Sequence, residues 1–156
     1  MSKVTLTTEL PIPASLAREL AAKPELMRYV LAPYLKPSLR LRIPEKIEPG
    51  LEAVGRLWWL GLIPAWRHHI KVVRLDPLEI YTNEWGGPVR TWNHRLTFVP
   101  TGDQSCSYTD EIEVDDGLRG WGTRLFVRGM FHHRHKRWQT LARILTVTPE
   151  ASSATD

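Results

Sequence analysis

The sequence predicts an α+β fold: a curved antiparallel sheet of about seven strands wrapped round one long C-terminal helix, with two short helices after the first strand. Three observations predict it. Apolar residues recur at every second position, with turn residues between the runs, from Leu39 to Asp116. They recur every third or fourth position from Leu118 to Val147. Two short apolar stretches bounded by proline separate the first alternating run from the rest.

The elements follow in order. Val4 and Leu6 alternate with Thr5 and Thr7, which predicts a strand over residues 3–10, ended by Pro11 and Pro13. Ser15 is the expected cap of a helix reaching Ala22, with Leu16 and Leu20 on one face. Pro24 suits the first position of a second helix carrying Leu26, Met27, Val30 and Leu31, which Pro33 and Pro37 close. Leu39, Leu41 and Ile43 form a strand stopped by Pro44, and Glu48-Pro49-Gly50 turns the chain. The next run covers Glu52 to Leu60 and is broken by Gly61-Leu62-Ile63-Pro64. Trp66, His68, Ile70 and Val72 then alternate with Arg67, His69 and Lys71. Asp76-Pro77 leads to a short strand, Glu79 to Trp85, and Gly86-Gly87-Pro88 turns again. Trp92, His94, Leu96 and Phe98 face one way, and after a hairpin at Pro100–Asp103 so do Tyr108, Asp110, Ile112 and Val114.

The last helix carries a stripe of Val127, Phe131, Trp138, Leu141 and Leu145. Leu118, Trp121, Leu125 and Phe126 drift off that stripe near Gly129, so a bend is expected there.

With 156 residues, the chain fits one domain over 1–148 with a polar tail over 149–156 that is expected to be disordered. A lone cysteine, Cys106, excludes an internal disulfide and a multi-cysteine zinc site. The N-terminal residues lack the apolar core of a secretory signal, and no apolar run is long enough to span a bilayer. A cytoplasmic home is therefore expected, with no stable membrane insertion. The net charge of +4 demands no anionic partner, and no nucleic-acid partner is expected. Seven tryptophans, however, need a large interior, a cavity wall or an interface. A strongly curved sheet is not filled by its own side chains, and one helix covers only part of it. The order of elements thus predicts an elongated apolar space, a ligand site.

The runs Gly61-Leu62-Ile63-Pro64-Ala65-Trp66, Asp76-Pro77, Gly87-Pro88, Trp92-Asn93-His94 and Phe98 carry a resemblance. They are similar to bacterial domains of the START/birch-allergen-like (SRPBCC) superfamily, of the polyketide cyclase/dehydrase-like or cell-division-inhibitor-like kind. Asp110-Glu111-Ile112 and Phe131-His132-His133-Arg134 stand where that group has Asp-x-Val and Phe-x-x-Arg. The resemblance covers Val4 to Leu145 and implies a helix-grip fold. It includes lipid carriers, hormone receptors and aromatase/cyclases, so it does not choose a function. Leu96 stands where a second histidine is common in the group, and Thr82 and Glu84 where Asp and Gln are.

The expected cavity wall is Trp66, Ile70, Trp92, His94, Leu96, Phe98, Tyr108, Asp110 and Ile112 from the strands. Leu125, Phe126, Met130, Phe131 and Arg134 close it from the helix. His94 and Asp110, inward polar residues on facing strands, are the candidate acid/base pair, with Tyr108 a third candidate; the alternative is that they satisfy one another structurally. Arg134 either binds a ligand acid group or pairs with Asp110 or Glu84. Only His132 and His135 have helical metal-ligand spacing and no carboxylate completes the set, so His132, His133 and His135 read as a solvated basic face. Cys106 reads as a core residue. No metal or cofactor is expected. The preferred function is binding or transport of a small hydrophobic ligand (a lipid, polyketide or other aromatic). The alternatives are a cyclase or dehydratase using the same cavity, or a ligand-free interaction module.

Overall fold

A computed structural model of the chain describes residues 2–38, 47–87, 89–115 and 120–147. Strand β1 (Ser2–Leu10) leads into α1 (Ala14–Ala21) and α2 (Pro24–Leu31). A meander follows: β2 (Leu35–Pro37), β3 (Glu52–Trp59), β4 (Ile63–Asp76), β5 (Glu79–Gly86), β6 (Val89–Gly102) and β7 (Ser105–Asp115). Helix α3 (Gly120–Val147) ends the described chain. The sheet is antiparallel throughout, in the order β1-β7-β6-β5-β4-β3-β2. It curls into a half-barrel round α3, which makes the fold an α+β helix grip, as the order of elements predicts.

The helices differ from expectation in detail. Ser15 lies inside α1; Pro13 occupies the cap position, and no side chain caps the helix. Ala14 and Ala17 form the buried face of α1, while Leu16 is exposed, because small residues let the helix sit closely on the end of the sheet. Pro24 does begin α2, whose Leu26 and Val30 are buried. The expected strand over Leu39–Ile43 and the expected tail lie outside the described residues. Ile63 and Pro64 belong to β4; the break before it is the tight turn at Leu60–Gly61, both with positive φ. Gly129, where a bend is expected, lies inside α3, which is helical from Gly120 to Val147.

Strand β7 shows why the meander folds as it does. Every second residue (Cys106, Tyr108, Asp110, Ile112, Val114) is fully buried, and the residues between are not. A one-residue slip against β6 would expose that whole set. Two apolar clusters result. One joins Leu10, Val30, Phe98, Tyr108 and Trp138 under the C-terminal half of α3. The other joins Leu35, Leu57, Ile112, Val114, Val127 and Phe131 under its N-terminal half. Between them sits Asp110, with none of its surface exposed.

Candidate functional site

The sheet curls further than α3 can follow, and a cavity of about 220 Å³ remains between the helix and strands β3–β6. Trp66 and Ile70 of β4 and Trp92 and Leu96 of β6 line it. Phe126, Met130 and Phe131 of α3 close one side, and Met27 and Leu31 of α2 close the end. These are alternate positions on the strands and successive turns of the helix, so one hydrophobic pattern builds both core and wall.

One patch of the wall is polar: His68, Thr82, Glu84, His94 and Arg134. Register brings them together. Thr82 pairs with His94 across β5 and β6, and Glu84 pairs with Ile70 across β4 and β5, one alternate position from His68. Glu84 is the hub. Its carboxylate lies 2.7 Å from His68 Nε2, accepts a 2.6 Å bond from the Thr82 hydroxyl, and stands 3.6 Å from His94 Nδ1. Trp66 Nε1 donates to His68 Nδ1 at 3.4 Å, which leaves a His68 proton on Nε2, facing Glu84.

Asp110 anchors the same patch from behind. It is diagonal to His94 rather than opposite it, because Ile112 is the direct partner of His94 and Leu96 that of Asp110. One carboxylate oxygen is 2.7 Å from His94 Nε2. The other is 3.0 Å from His135 Nε2 and 3.4 Å from Arg134 Nε. Arg134 also donates to the Tyr108 phenol at 3.2 Å.

The electrostatics follow from burial and pairing. Burial alone would raise the Asp110 carboxyl, but the Arg134 charge and bonds from His135 and His94 outweigh it and hold the group well below the usual carboxylate range. Burial likewise opposes ionisation of Glu84, and bonds with His68 and His94 overcome it. For His94, burial disfavours charge, yet Asp110 and Glu84 raise it above its ordinary value. Burial pushes Tyr108 far up and Cys106 to about 11, so neither ionises near neutrality.

The structure divides the expected site residues. Trp66, Ile70, Trp92, His94, Leu96, Phe126, Met130, Phe131 and Arg134 line the cavity. Phe98, Tyr108, Asp110 and Ile112 do not. They share the inward face of the sheet, but α3 packs directly on them; Trp138 of α3, for example, meets the Tyr108 ring edge-on with ring centres 6.4 Å apart. Leu125 points outward and is 66% exposed. The basic stretch of α3 is also not a solvated face. His135 bonds Asp110, His133 Nε2 lies 2.7 Å from the Ala32 carbonyl, and Arg137 donates to the Tyr29 carbonyl over the Tyr29 ring. His132 and Lys136 alone in that stretch are exposed. His135 had a signal in its spacing, since Phe131, His135, Trp138 and Ala142 form the stripe that the sheet buries. Among the described residues no three His, Cys, Asp or Glu side chains converge as metal ligands.

The fold is of the START-like, SRPBCC type. More particularly, the chain belongs to the family described as domain of unknown function DUF8410, whose profile matches residues 26–142. No curated protein matches it in sequence. Solved structures resemble it in fold. A START superfamily protein from Mycobacterium smegmatis is 17% identical, with a TM-score of 0.70 over 92% of this chain and 98% of that one. The Zhui aromatase/cyclase from a Streptomyces species is 13% identical, with a TM-score of 0.70 over 97% and 99%. Protein NE0264 from Nitrosomonas europaea is 14% identical, with a TM-score of 0.72 over 94% and 97%.

Proposed function

We propose that this protein binds and carries a small hydrophobic ligand (a lipid, polyketide or other aromatic) in the cavity between α3 and the sheet. The observation that carries this reading is the cavity's composition: a mostly apolar space of about 220 Å³ with a polar patch at Arg134, His94 and Glu84. Its size favours a compact ligand, since an apolar cavity of roughly 150 Å³ already holds one benzene ring. The apolar body lies among Trp66, Ile70, Trp92 and Phe131. An oxygen of the ligand accepts from Arg134, whose guanidinium offers five N–H donors and spends one of them on Tyr108.

Polyketide cyclase or dehydratase chemistry is the second reading, supported by a histidine on the cavity wall and by the fold shared with an aromatase/cyclase. It is the weaker one. His94 Nε2 is 2.7 Å from Asp110 and Nδ1 is 3.6 Å from Glu84, so carboxylates face both nitrogens that would serve a substrate. The third reading, a ligand-free interaction module, calls for a collapsed interior.

The test is equilibrium titration of delipidated protein with fatty acids, flavonoids and an environment-sensitive apolar dye, followed by tryptophan emission. Binding tighter than about 100 μM, with a rise in melting temperature, is expected. Absence of binding by every probe would overturn the carrier reading.

A further inference from the structure

Helix α3 contains Arg124, Arg128, Arg134, Lys136, Arg137 and Arg143 and no acidic residue. Arg134 and Arg137 are used inside the protein. The outward face is different. Trp121, Leu125, Arg128, His132 and Lys136 recur at helical spacing, and all five are exposed. Trp121 is 74% exposed, although so large an apolar side chain is ordinarily covered.

This face is continuous with a second exposed apolar element. Leu125 shares an open groove with Tyr34 and Trp59. The β3–β4 turn is tied to the same two residues: Leu60 N–H donates to the Tyr34 carbonyl and Leu62 N–H to the Trp59 carbonyl, each at 2.9 Å. Leu60, Leu62 and Ile63 project from this turn, Leu62 being 80% exposed. Lys36 lies alongside, its stem against Gly61. The result is a set of apolar tips with Lys36 beside the turn and Arg128 and Lys136 further along the same exposed helix face.

We propose that this face docks on an anionic phospholipid bilayer, with Trp121, Leu125 and Leu62 entering the headgroup–acyl boundary and Arg128, Lys136 and Lys36 meeting lipid phosphates. Separated aliphatic and indole tips match the boundary of a bilayer. Single-stranded RNA would call for flat stacking platforms in a basic groove. A second copy would set two helices of like charge against each other. The attachment is peripheral, as no helix among the described residues is long and apolar enough to cross a membrane. Phe126 and Met130 line both the outer groove and the inner cavity, so one layer of side chains separates the docking face from the proposed ligand. That last connection rests on the carrier reading; the docking does not.

The test is vesicle co-sedimentation of the full chain, using phosphatidylcholine alone and phosphatidylcholine mixed with phosphatidylglycerol. Variants are Trp121→Ser with Leu125→Ser, Leu62→Ser, and Arg128→Glu with Lys136→Glu. Val99→Ser, an exposed apolar residue at the β6–β7 end, is the control. All sites are on the surface, so melting temperatures should match the parent. The expected result is binding to the anionic vesicles, falling with salt and weakened about tenfold or more by the face variants but not by Val99→Ser. No vesicle binding, equal binding to both vesicles, or binding untouched by the face variants overturns the proposal. So does binding of labelled single-stranded RNA, or self-association, in place of vesicle binding. Dye uptake by the same variants, read in parallel, separates failure of docking from failure of the cavity reading.

Discussion

Replacing Asp110 by asparagine tests the buried polar cluster most severely. The carboxylate is fully buried and meets three cationic or donor groups, His94 at 2.7 Å, His135 at 3.0 Å and Arg134 at 3.4 Å. Asparagine keeps the shape but offers one acceptor oxygen and an NH₂ group. If the amide nitrogen faces His94, one short bond is lost and two donors meet. If it faces the other way, His135 loses its acceptor and Arg134 faces an amide in place of a carboxylate. In either orientation Arg134 stays buried without its full counter-charge. Breaking a buried pair by neutralising one member costs about 3–5 kcal/mol. The assay is urea unfolding of parent and variant, with the midpoint shifting and the slope unchanged. Glu111→Gln is the control, one residue away, where the carboxylate points outward to Lys3 at 2.8 Å. It should change stability by less than about 1 kcal/mol. An Asp110→Asn loss below about 1 kcal/mol would refute the reasoning.

Because Asp110 and Glu84 are held below their ordinary values of 3.8 and 4.5, their contribution is complete above those values and is lost as pH falls further. His94 is raised above 6.5, so its contribution is complete below 6.5 and is lost as pH rises through its folded value. Stability should therefore peak between about pH 5 and 6.5, and His94→Gln should flatten the alkaline side; an unchanged profile in thermal melts would contradict this. A Cβ at Gly86 would stand 2.1 Å from the Arg67 carbonyl oxygen at a φ of +126°, so Gly86→Ala should destabilise by more than about 1 kcal/mol. Gly129→Ala meets nothing within 4 Å and lies inside α3, so it should stabilise by about 0.5–1 kcal/mol and raise the melting temperature slightly.

Much of this fold was legible because the meander uses a strict period of two. Trp92–Phe98 and Tyr108–Val114 announce both their strands and their buried face. The inward placement of His94 and Asp110 followed from the same alternation, and their contact from the hairpin between them. Periodicity does not say how closely a helix approaches each part of a sheet. Phe98, Tyr108 and Ile112 carry the same signal as Trp92 and Leu96, yet α3 rests on the first three and stands off the others. Helix phase was the second limit. His135 reads as part of a solvated basic face, but it is turned fully into the core, and a run of six consecutive His, Arg and Lys residues hid the difference. The roles of His133 and Arg137 depend on carbonyls in α2 and just beyond it, about a hundred residues away, which no local pattern reveals.

The central claim is that ligand occupies the space between α3 and the sheet. The most direct measurement is the affinity of an apolar dye for Ala53→Trp, beside the parent. Ala53 lies on the cavity wall in β3, and an indole there fills much of the 220 Å³. The account predicts that dye affinity falls at least about tenfold while the melting temperature holds or rises, because apolar volume is filled in place of ligand. Undiminished affinity in a folded Ala53→Trp protein would place the ligand elsewhere and contradict the account.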